Sequence, residues 1–276
     1  MSFFSKLFGR KAQQDPAQDL AVFRDAVIAK AKSMGARTEF KIAPDDASRI
    51  IMSRDGEVIG QADLTNAYNQ FKVYPEDDAE EGIERLATII LANENDDAPF
   101  TLDDVVIVLR PEDYVNAVRE QGGEVVSEPL MGELHKFYMV DTPQAMRGLT
   151  PSDIKDFEMS NVETAAIDNV RKWLPKLTAD KSLQDTSLYY VEDNTFLTSS
   201  LILLDAFWDV VDAEYTSGCL FTLPRKDQLF VFDMKHQNAL ELAQNIVRTT
   251  FEDDFNLLSS QIFSRKNGII GLVEAL

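Results

Sequence analysis

Residues 196–233 read FLTSSLILLDAFWDVVDAEYTSGCLFTLPRKDQLFVFD, and this stretch decides the fold. It predicts a helix over residues 198–211 that is apolar on nearly every side, a pattern typical of a buried helix. Two apolar strands follow at 218–223 and 228–234, and a charged turn at 224–227 joins them as a pair. We therefore expect the centre of the protein core in this stretch.

Toward the amino terminus, the turn signals predict a smaller unit. Asp15, Pro16 and Gln18 mark the start of a helix, and Gly35 ends it. Asp55 and Gly56 predict a tight hairpin, because a type I′ turn needs a positive φ at both positions. The predicted elements are the first helix, strands at 38–42, 48–54 and 57–64, a short helix or loop at 66–74, and a helix at 78–92.

The rest of the chain mixes strands and helices in irregular order. Short apolar runs between Gly, Pro and capping signals indicate strands, and apolar residues spaced by three or four indicate helices. The predicted strands are 104–109, 133–140, 187–192 and 268–273, and the predicted helices are 112–119, one beginning near Ser160, 238–251 and 257–263.

This pattern predicts an α+β fold with mainly antiparallel sheets covered by helices. The predicted organisation is a flexible amphipathic tail at 1–14, an N-terminal α-β-β-β-α unit at 15–98, and a larger α+β unit at 99–276 packed against it. Residues 93–99 are the best candidate boundary, because Asn, Asp and Pro cluster there.

The charge of the chain restricts its partners. The 276 residues carry 47 acids and 27 bases, for a net charge of −20, which repels phosphate backbones. We therefore expect no nucleic-acid binding, whereas an acidic surface suits solubility or a basic protein partner. Cys219 is the only cysteine, so no intrachain disulfide forms, and we interpret its thiol as a small buried hydrophobe in a cytoplasmic protein.

The first eleven residues, MSFFSKLFGRK, differ from the rest because they contain three bases and no acid. On a helix, Phe3, Phe4, Leu7 and Phe8 share one face, which suits weak contact with a membrane surface. The alternative is a frayed terminus whose Phe side chains fold back onto the body.

The sequence contains no recognisable catalytic or cofactor motif. It has two histidines and no HExxH, no glycine-flanked nucleophile at Ser199 or Ser200, and no phosphate-binding loop. We interpret the hydroxyls at Thr198 and Ser199 as helix caps. We therefore expect no metal site, no cofactor and no catalytic residue.

The candidate binding residues are the polar exceptions in the apolar stretch: Asp205, Arg225, Lys226 and Asp227. An ion pair between Asp205 and Arg225 would offset the cost of placing a carboxylate in an apolar helix. Alternatively, Arg225 and Lys226 present cationic donors to a carboxylate or phosphate of a partner. The structural alternative is a solvated hairpin turn.

Several short pieces, in this order and spacing, resemble the YtpQ-like bacterial family, a domain of unknown function. The pieces are LTNAY at 64–68, GEL at 132–134 with Asp141, DNV at 168–170, SSLILLD at 199–205 with Trp208, LPRKD at 223–227, LS at 258–259, IF at 262–263, and Gly268. The resemblance implies one continuous α+β unit and adds no catalytic residue.

Three functions remain open from the sequence. The first is a cytoplasmic, non-catalytic binding, adaptor or chaperone-like protein, whose sign is an exposed apolar patch or edge strand. The second is a carboxylate-based hydrolase, whose sign is a deep pocket with converging acids and a perturbed pKa. The third is a peripheral membrane protein that uses the Phe-rich start. The sequence does not indicate an oligomeric state.

Overall fold

The computed structural model describes residues 16–73, 79–93, 100–120, 123–141, 146–183, 186–253 and 255–275. The chain divides into two compact units: a first unit of Met1–Pro99 with Pro143–Met146, and a second unit of Phe100–Thr142 with Arg147–Leu276. Helices and antiparallel sheets occur together, so the predicted α+β class is confirmed.

The first unit is a three-stranded antiparallel sheet with helices. Its elements are α1 (Pro16–Ser33), β1 (Glu39–Ile42), β2 (Arg49–Arg54), β3 (Glu57–Asp63), α2 (Thr65–Val73) and α3 (Ala79–Asn93), with strand order β1-β2-β3. Asp55 and Gly56 have φ values of 52° and 88°, as the hairpin prediction requires. The ring of Phe23 on α1 packs against Tyr68 and Phe71 of α2. The predicted α-β-β-β-α unit is therefore confirmed.

The second unit begins with a small sheet. Its elements are a 3₁₀ turn (Leu102–Asp104), β4 (Val105–Pro111), α4 (Glu112–Glu120), β5 (Ser127–Met131), β6 (Leu134–Asp141), β7 (Met146–Gly148) and α5 (Met159–Arg171). The main path runs β4-β6-β5, and β7 also pairs with β6. Asn169 ties α5 to this sheet, because its side-chain amide donates to the carbonyls of Leu102 and Val105 at 2.8 Å each.

A six-stranded antiparallel sheet completes the second unit. Its elements are a 3₁₀ turn (Leu174–Lys176), β8 (Leu177–Asp180), β9 (Thr186–Val191), a 3₁₀ helix (Thr195–Leu203), α6 (Asp205–Glu214), β10 (Cys219–Thr222), β11 (Leu229–Asp233), α7 (Ala239–Glu252), β12 (Gln261–Lys266) and β13 (Ile269–Ala275). The strand order is β13-β12-β10-β11-β9-β8.

The two faces of the six-stranded sheet have different cores. Successive side chains of a strand point to opposite faces. On β10, Leu220 joins a buried cluster with α7, whereas Phe221 packs against Trp208 of α6 with ring centres 5.1 Å apart. Phe221 also stacks on Phe263 of β12 at 5.3 Å. The prediction that the 196–233 stretch holds a core is therefore confirmed.

The continuous helix predicted for residues 198–211 is wrong. The chain forms a 3₁₀ helix up to Leu203, passes through an extended Leu204 (φ −104°, ψ 118°), and then begins α6 at Asp205. The predicted caps are wrong: Thr198 Oγ1 accepts a bond from the Val191 backbone N–H, and Ser199 Oγ is buried without a hydrogen-bond partner in the described chain. The neighbouring Ser200 Oγ donates to the Ile107 carbonyl. These bonds to two different strands hold the tighter 3₁₀ geometry.

The short helix predicted for residues 257–263 is also wrong, because β12 begins at Gln261 and pairs with β10. Its apolar run is too short for periodicity to separate a strand from a helix. Strands β5 and β8 were not predicted. β5 contains Pro129, which lacks a backbone N–H, but β5 is an edge strand of its sheet and edge strands tolerate proline.

Candidate functional site

The charged turn between β10 and β11 is pinned by a neighbouring segment of the second unit. The Lys226 N–H donates to the Asn256 carbonyl, and the Leu258 N–H donates to the Pro224 carbonyl, both at 3.0 Å. Arg225 and Leu257 form an isolated antiparallel bridge. The interpretation as a solvated hairpin turn is therefore wrong.

Arg225 is buried within this turn, with 4% of its surface exposed. Its guanidinium donates to the Asp253 carboxylate and lies 3.8 Å from the centre of the Phe255 ring. The predicted ion pair with Asp205 is wrong. Asp205 is the exposed first residue of α6, where the helix dipole and water stabilise a carboxylate without a cation.

A second buried arginine lies nearby in the sheet of β4, β5 and β6. Arg110 is 5% exposed, and its guanidinium carbon lies 5.6 Å, 6.0 Å and 5.5 Å from the ring centres of Tyr114, Phe137 and Phe196. Its side chain donates to the Leu109 carbonyl at 2.7 Å and to the Met139 sulfur at 3.9 Å, and it also interacts with the Tyr114 side chain. Burial lowers the pKa of Arg110, and Tyr114 partly opposes that effect.

Lys226 brings a second cation to the same aromatic ring. Its Nζ lies 5.9 Å from the centre of the Tyr114 ring, which Arg110 also contacts. The pKa of Lys226 is lowered to about 8, mainly by burial and also by repulsion from Arg110, while Asp227 acts in the opposite direction. We call Arg110, Tyr114, Lys226 and Asp227 the cation cluster.

Buried polar atoms without hydrogen bonds lie in and beside this cluster. In the described part of the chain, Asp227 Oδ1, Gln228 Oε1 and His135 Nδ1 are buried and have no partner. His135 is the direct cross-strand neighbour of Arg110, so the two side chains leave the same face of the sheet. The cluster therefore combines unused donors and acceptors with an excess of positive charge.

The structure brings together Lys226 and Asp227 among the four predicted site residues. Arg225 is occupied by Asp253 and Phe255, and Asp205 is in neither group of contacts. Sequence reasoning missed Arg110 and Tyr114. The available signal was Arg110 itself, a cation that directly continues the apolar strand run VVIVL, because a charge in a buried strand needs a partner.

Two pieces of the sequence resemblance, GEL at 132–134 and LS at 258–259, meet beside this turn, which is itself a third piece. The Glu133 carboxylate accepts bonds from Ser259 Oγ at 2.6 Å and from the Ser260 N–H at 3.1 Å, and the Glu133 N–H donates to Gln261 Oε1 at 3.0 Å. Gly132 has a φ of +53°, and a Cβ there would lie 1.8 Å from Gln261 Oε1. We call these contacts the Glu133 clamp. They fix the β5–β6 hairpin to residues 259–261, where β12 begins.

The outer edge of the six-stranded sheet is apolar. Ile269, Leu272 and Val273 of β13 are 74%, 54% and 43% exposed. β13 pairs with β12 and is the last strand on its side of the sheet, so its outer backbone groups face no other strand of the described chain. This is the sign expected for a binding or adaptor protein.

The pocket and the acid with a perturbed pKa that a hydrolase would combine lie in different parts of the second unit. A cavity of about 330 Å³ is lined by Ser187, Glu214, Tyr215, Asp233 and other residues of the second unit. Among the acids that the structure describes, Asp141 has a raised pKa, because burial and the Asp104 carboxylate both disfavour its anion. Asp141 does not line this cavity. Across the described ranges, no group of three or more His, Cys, Asp or Glu residues could hold a metal ion.

Two further predictions concern membranes and the thiol. In the described residues, no helix combines the length and apolar character needed to cross a membrane. The predicted amphipathic face of Phe3, Phe4, Leu7 and Phe8 lies outside the described residues. Cys219 is buried as predicted, and burial raises the pKa of its thiol to about 12.

Comparison with known proteins gives distant similarity. No protein-family model matches the chain, and no solved structure matches it. Proteins named UPF0354 protein from Staphylococcus aureus strains MW2 and JH9 are each 22% identical over 151 residues, which is 54% of this chain and 53% of theirs. The chain thus spans about half the length of the curated relatives it matches, and over that half it is similar to UPF0354 proteins.

Proposed function

We propose that this is a cytoplasmic, non-catalytic binding protein of the YtpQ-like kind, which takes an extended segment of a protein partner as an added strand on β13. The observation that carries the proposal is the exposed apolar edge of the six-stranded sheet. A buried free thiol at Cys219 suits a reducing compartment.

The edge strand has the two features that strand addition uses. A free edge offers backbone N–H and C=O groups to a partner strand, and natural proteins usually block such edges with charge, proline or a cover. Residues 269–273 of β13 read IIGLV and contain no charge and no proline, and the one acid of the strand, Glu274, lies near its end. Exposed Ile269 and Leu272 provide apolar contacts beside the backbone bonds.

Charge selects the occupant of this edge. Two copies of a chain with a net charge of −20 repel each other, which disfavours pairing of β13 with β13 of a second copy. A basic extended segment gains from the same field. We therefore assign the edge to a basic segment of another protein, in an adaptor or chaperone-like role.

The test uses a labelled peptide of alternating lysine and valine, with a glutamate–valine peptide as its acidic counterpart. Binding is followed by fluorescence anisotropy and by hydrogen exchange of the β13 amides. We expect the basic peptide to bind and to slow exchange along β13, because added backbone bonds protect amides. We expect Leu272→Lys to weaken binding about tenfold or more, since a lysine there both repels the peptide and removes apolar contact.

Val210→Lys is the matched control. Val210 is an exposed residue of α6, so this variant adds the same charge away from the edge and should bind nearly as the unmodified chain does. Binding without β13 protection, or equal weakening by both variants, contradicts the proposal. Analytical ultracentrifugation tests for a concentration-dependent dimer of the chain. If such a dimer forms and slows hydrogen exchange along β13, the edge binds a second copy and not a basic segment of another protein.

A further inference from the structure

Arginines that lie on aromatic rings form a consistent set in the second unit, with one exception. Arg147 on Phe100 donates to Asp153 at 2.6 Å, Arg265 on Trp208 donates to Asp212 at 2.8 Å, and Arg225 on Phe255 donates to Asp253. Arg110 has three rings around it, and the described chain gives it no carboxylate.

A buried guanidinium without an anion is costly. Burying a charge is tolerated when it is paired and hydrogen-bonded, and an arginine has five N–H donors to satisfy. Arg110 donates to one carbonyl and to one weak sulfur acceptor, and its other contacts are with the side chain of Tyr114 and with aromatic rings. An anion from outside the chain would supply the counter-charge that the described residues do not give Arg110.

The position of Lys226 supports the same conclusion. Two like charges on one ring repel each other, and Arg110 and Lys226 both lie within 6 Å of the Tyr114 ring centre. Asp227 balances one of the two charges, and an anion bound between or beside the cations would balance the other. Lys226 is only partly buried, so an anion can reach the cluster from solvent.

We propose that Arg110 and Lys226 together bind the carboxylate group of a small organic acid. The site is separate from the β13 edge and goes beyond the strand addition proposed above. Its members come from β4, from the start of α4 and from the turn between β10 and β11, so it forms only when both sheets of the second unit are in place.

Charge balance favours a carboxylate over a phosphate. The two cations Arg110 and Lys226 and the anion Asp227 give the cluster a net charge of +1, and the Arg225–Asp253 pair is neutral. One carboxylate neutralises this charge, whereas a phosphate dianion leaves an excess negative charge beside Asp227 in a chain that is already acidic. His135 Nδ1, buried and unpartnered beside Arg110, is a further polar atom on the same face.

The test is a titration of the full chain with sodium acetate and sodium benzoate, against sodium phosphate and sodium chloride at equal ionic strength. Lysine side-chain resonances of Lys226 report binding and its pKa together. We expect saturable shifts with the two carboxylates and a rise in the pKa of Lys226 above its free value of about 8, because a bound anion favours the charged amine. Phosphate and chloride should give no saturable shift.

Variants assign the effect to the two cations. Arg110→Met and Lys226→Met should each weaken carboxylate binding about tenfold or more, as expected when a charge-assisted hydrogen bond is lost, and Lys226→Arg should retain binding. Because these variants lack the Lys226 resonance or perturb it, their affinities are measured by isothermal titration calorimetry. Circular dichroism checks that each variant is folded. If one of the two methionine variants does not fold, the other still tests the proposal.

Lys181→Met is the control, since it removes the same charge from a lysine that pairs with Glu214 elsewhere in the second unit. It should leave binding unchanged. Absence of saturable carboxylate binding, unchanged binding in Lys226→Met, or equal binding of phosphate each overturns the proposal. None of these results depends on the β13 edge, so failure here and failure of strand addition are distinguishable.

Discussion

Arg225 and Arg110 are buried to almost the same degree, at 4% and 5% exposure, and both lie against aromatic rings. Arg225 has a carboxylate partner in Asp253, and its turn is held by backbone bonds from residues 256–258. Arg110 has rings on several sides but lacks a carboxylate among the described residues. The difference teaches that burial of a cation does not reveal its role, whereas the presence of a counter-charge does.

We infer that Arg225 stabilises the fold and that Arg110 binds an anion. A paired guanidinium on a ring stabilises the fold, because each partner offsets the desolvation of the other. An unpaired guanidinium lowers stability in the free protein and lets an incoming anion recover that free energy on binding. Loss of the cation should therefore destabilise the fold at Arg225 much more than at Arg110.

The largest effect is expected for Arg225→Met. This change removes the bond to Asp253 and the contact with Phe255, and it should lower the free energy of unfolding by about 2–4 kcal/mol. Urea denaturation measures the change. Arg248→Met, at an exposed arginine of α7, is the control and should change stability by less than about 0.5 kcal/mol. A loss as small as that of the control would remove the distinction between the two buried arginines.

The second effect is a pH dependence that comes from Lys226. Its pKa is about 8 in the folded chain and 10.5 for an ordinary lysine. Below pH 8 both states carry the proton, and the cost of burying the charged amine is fully present. Between about pH 8 and 10.5 only the unfolded chain binds the proton, so the free energy of unfolding rises with pH, by about 1–3 kcal/mol.

This rise is measured by urea denaturation in carboxylate-free buffers, as the difference between the unmodified chain and Lys226→Met. Ionisable groups away from the cluster contribute equally to both proteins and cancel in the difference. We expect acetate or benzoate to reduce the rise, because a bound carboxylate restores the protonated amine. If the free energy of unfolding depends on pH in the same way in both proteins, burial in the cluster does not lower the pKa of Lys226.

The smallest effect is expected for Arg110→Met. Without an added carboxylate, replacement of an uncompensated buried charge by an apolar side chain should change the free energy of unfolding by less than about 1 kcal/mol, in either direction. The free energy of unfolding of this variant and of the unmodified chain is measured by urea denaturation with and without benzoate. Benzoate should stabilise the unmodified chain and not the variant; a loss comparable to that of Arg225→Met would mean that Arg110 is structural.

The parts of the fold that were predictable are those set by local chemistry. The hairpin at Asp55 and Gly56 follows from the positive φ values that these residues tolerate. An unbroken run of Val, Ile and Leu predicts strand β4. The position of Cys219 in an apolar strand predicts that its thiol is buried. Each of these signals acts over a few neighbouring residues.

The parts that were missed depend on contacts distant in the sequence. Ser200 lies in a 3₁₀ helix because its hydroxyl reaches the Ile107 carbonyl, 93 residues away. The segment after Leu257 is extended because it lies beside the turn at Pro224 and Arg225. Lys226 was predicted as a site residue, but Arg110 was not, because nothing local to β4 shows that its charge lacks a partner.

The Glu133 clamp has a consequence for synthesis of the chain. Its bonds join Glu133 to residues that lie 126–128 positions later. At a ribosomal rate of roughly 5–20 residues per second, the β5–β6 hairpin waits roughly 6–25 s before Gln261 is made. During that interval the Glu133 carboxylate is open to water, and the second unit closes only after β12 emerges. A nascent chain stalled before Gln261 should therefore be a better target for chaperones and proteases than one stalled after it.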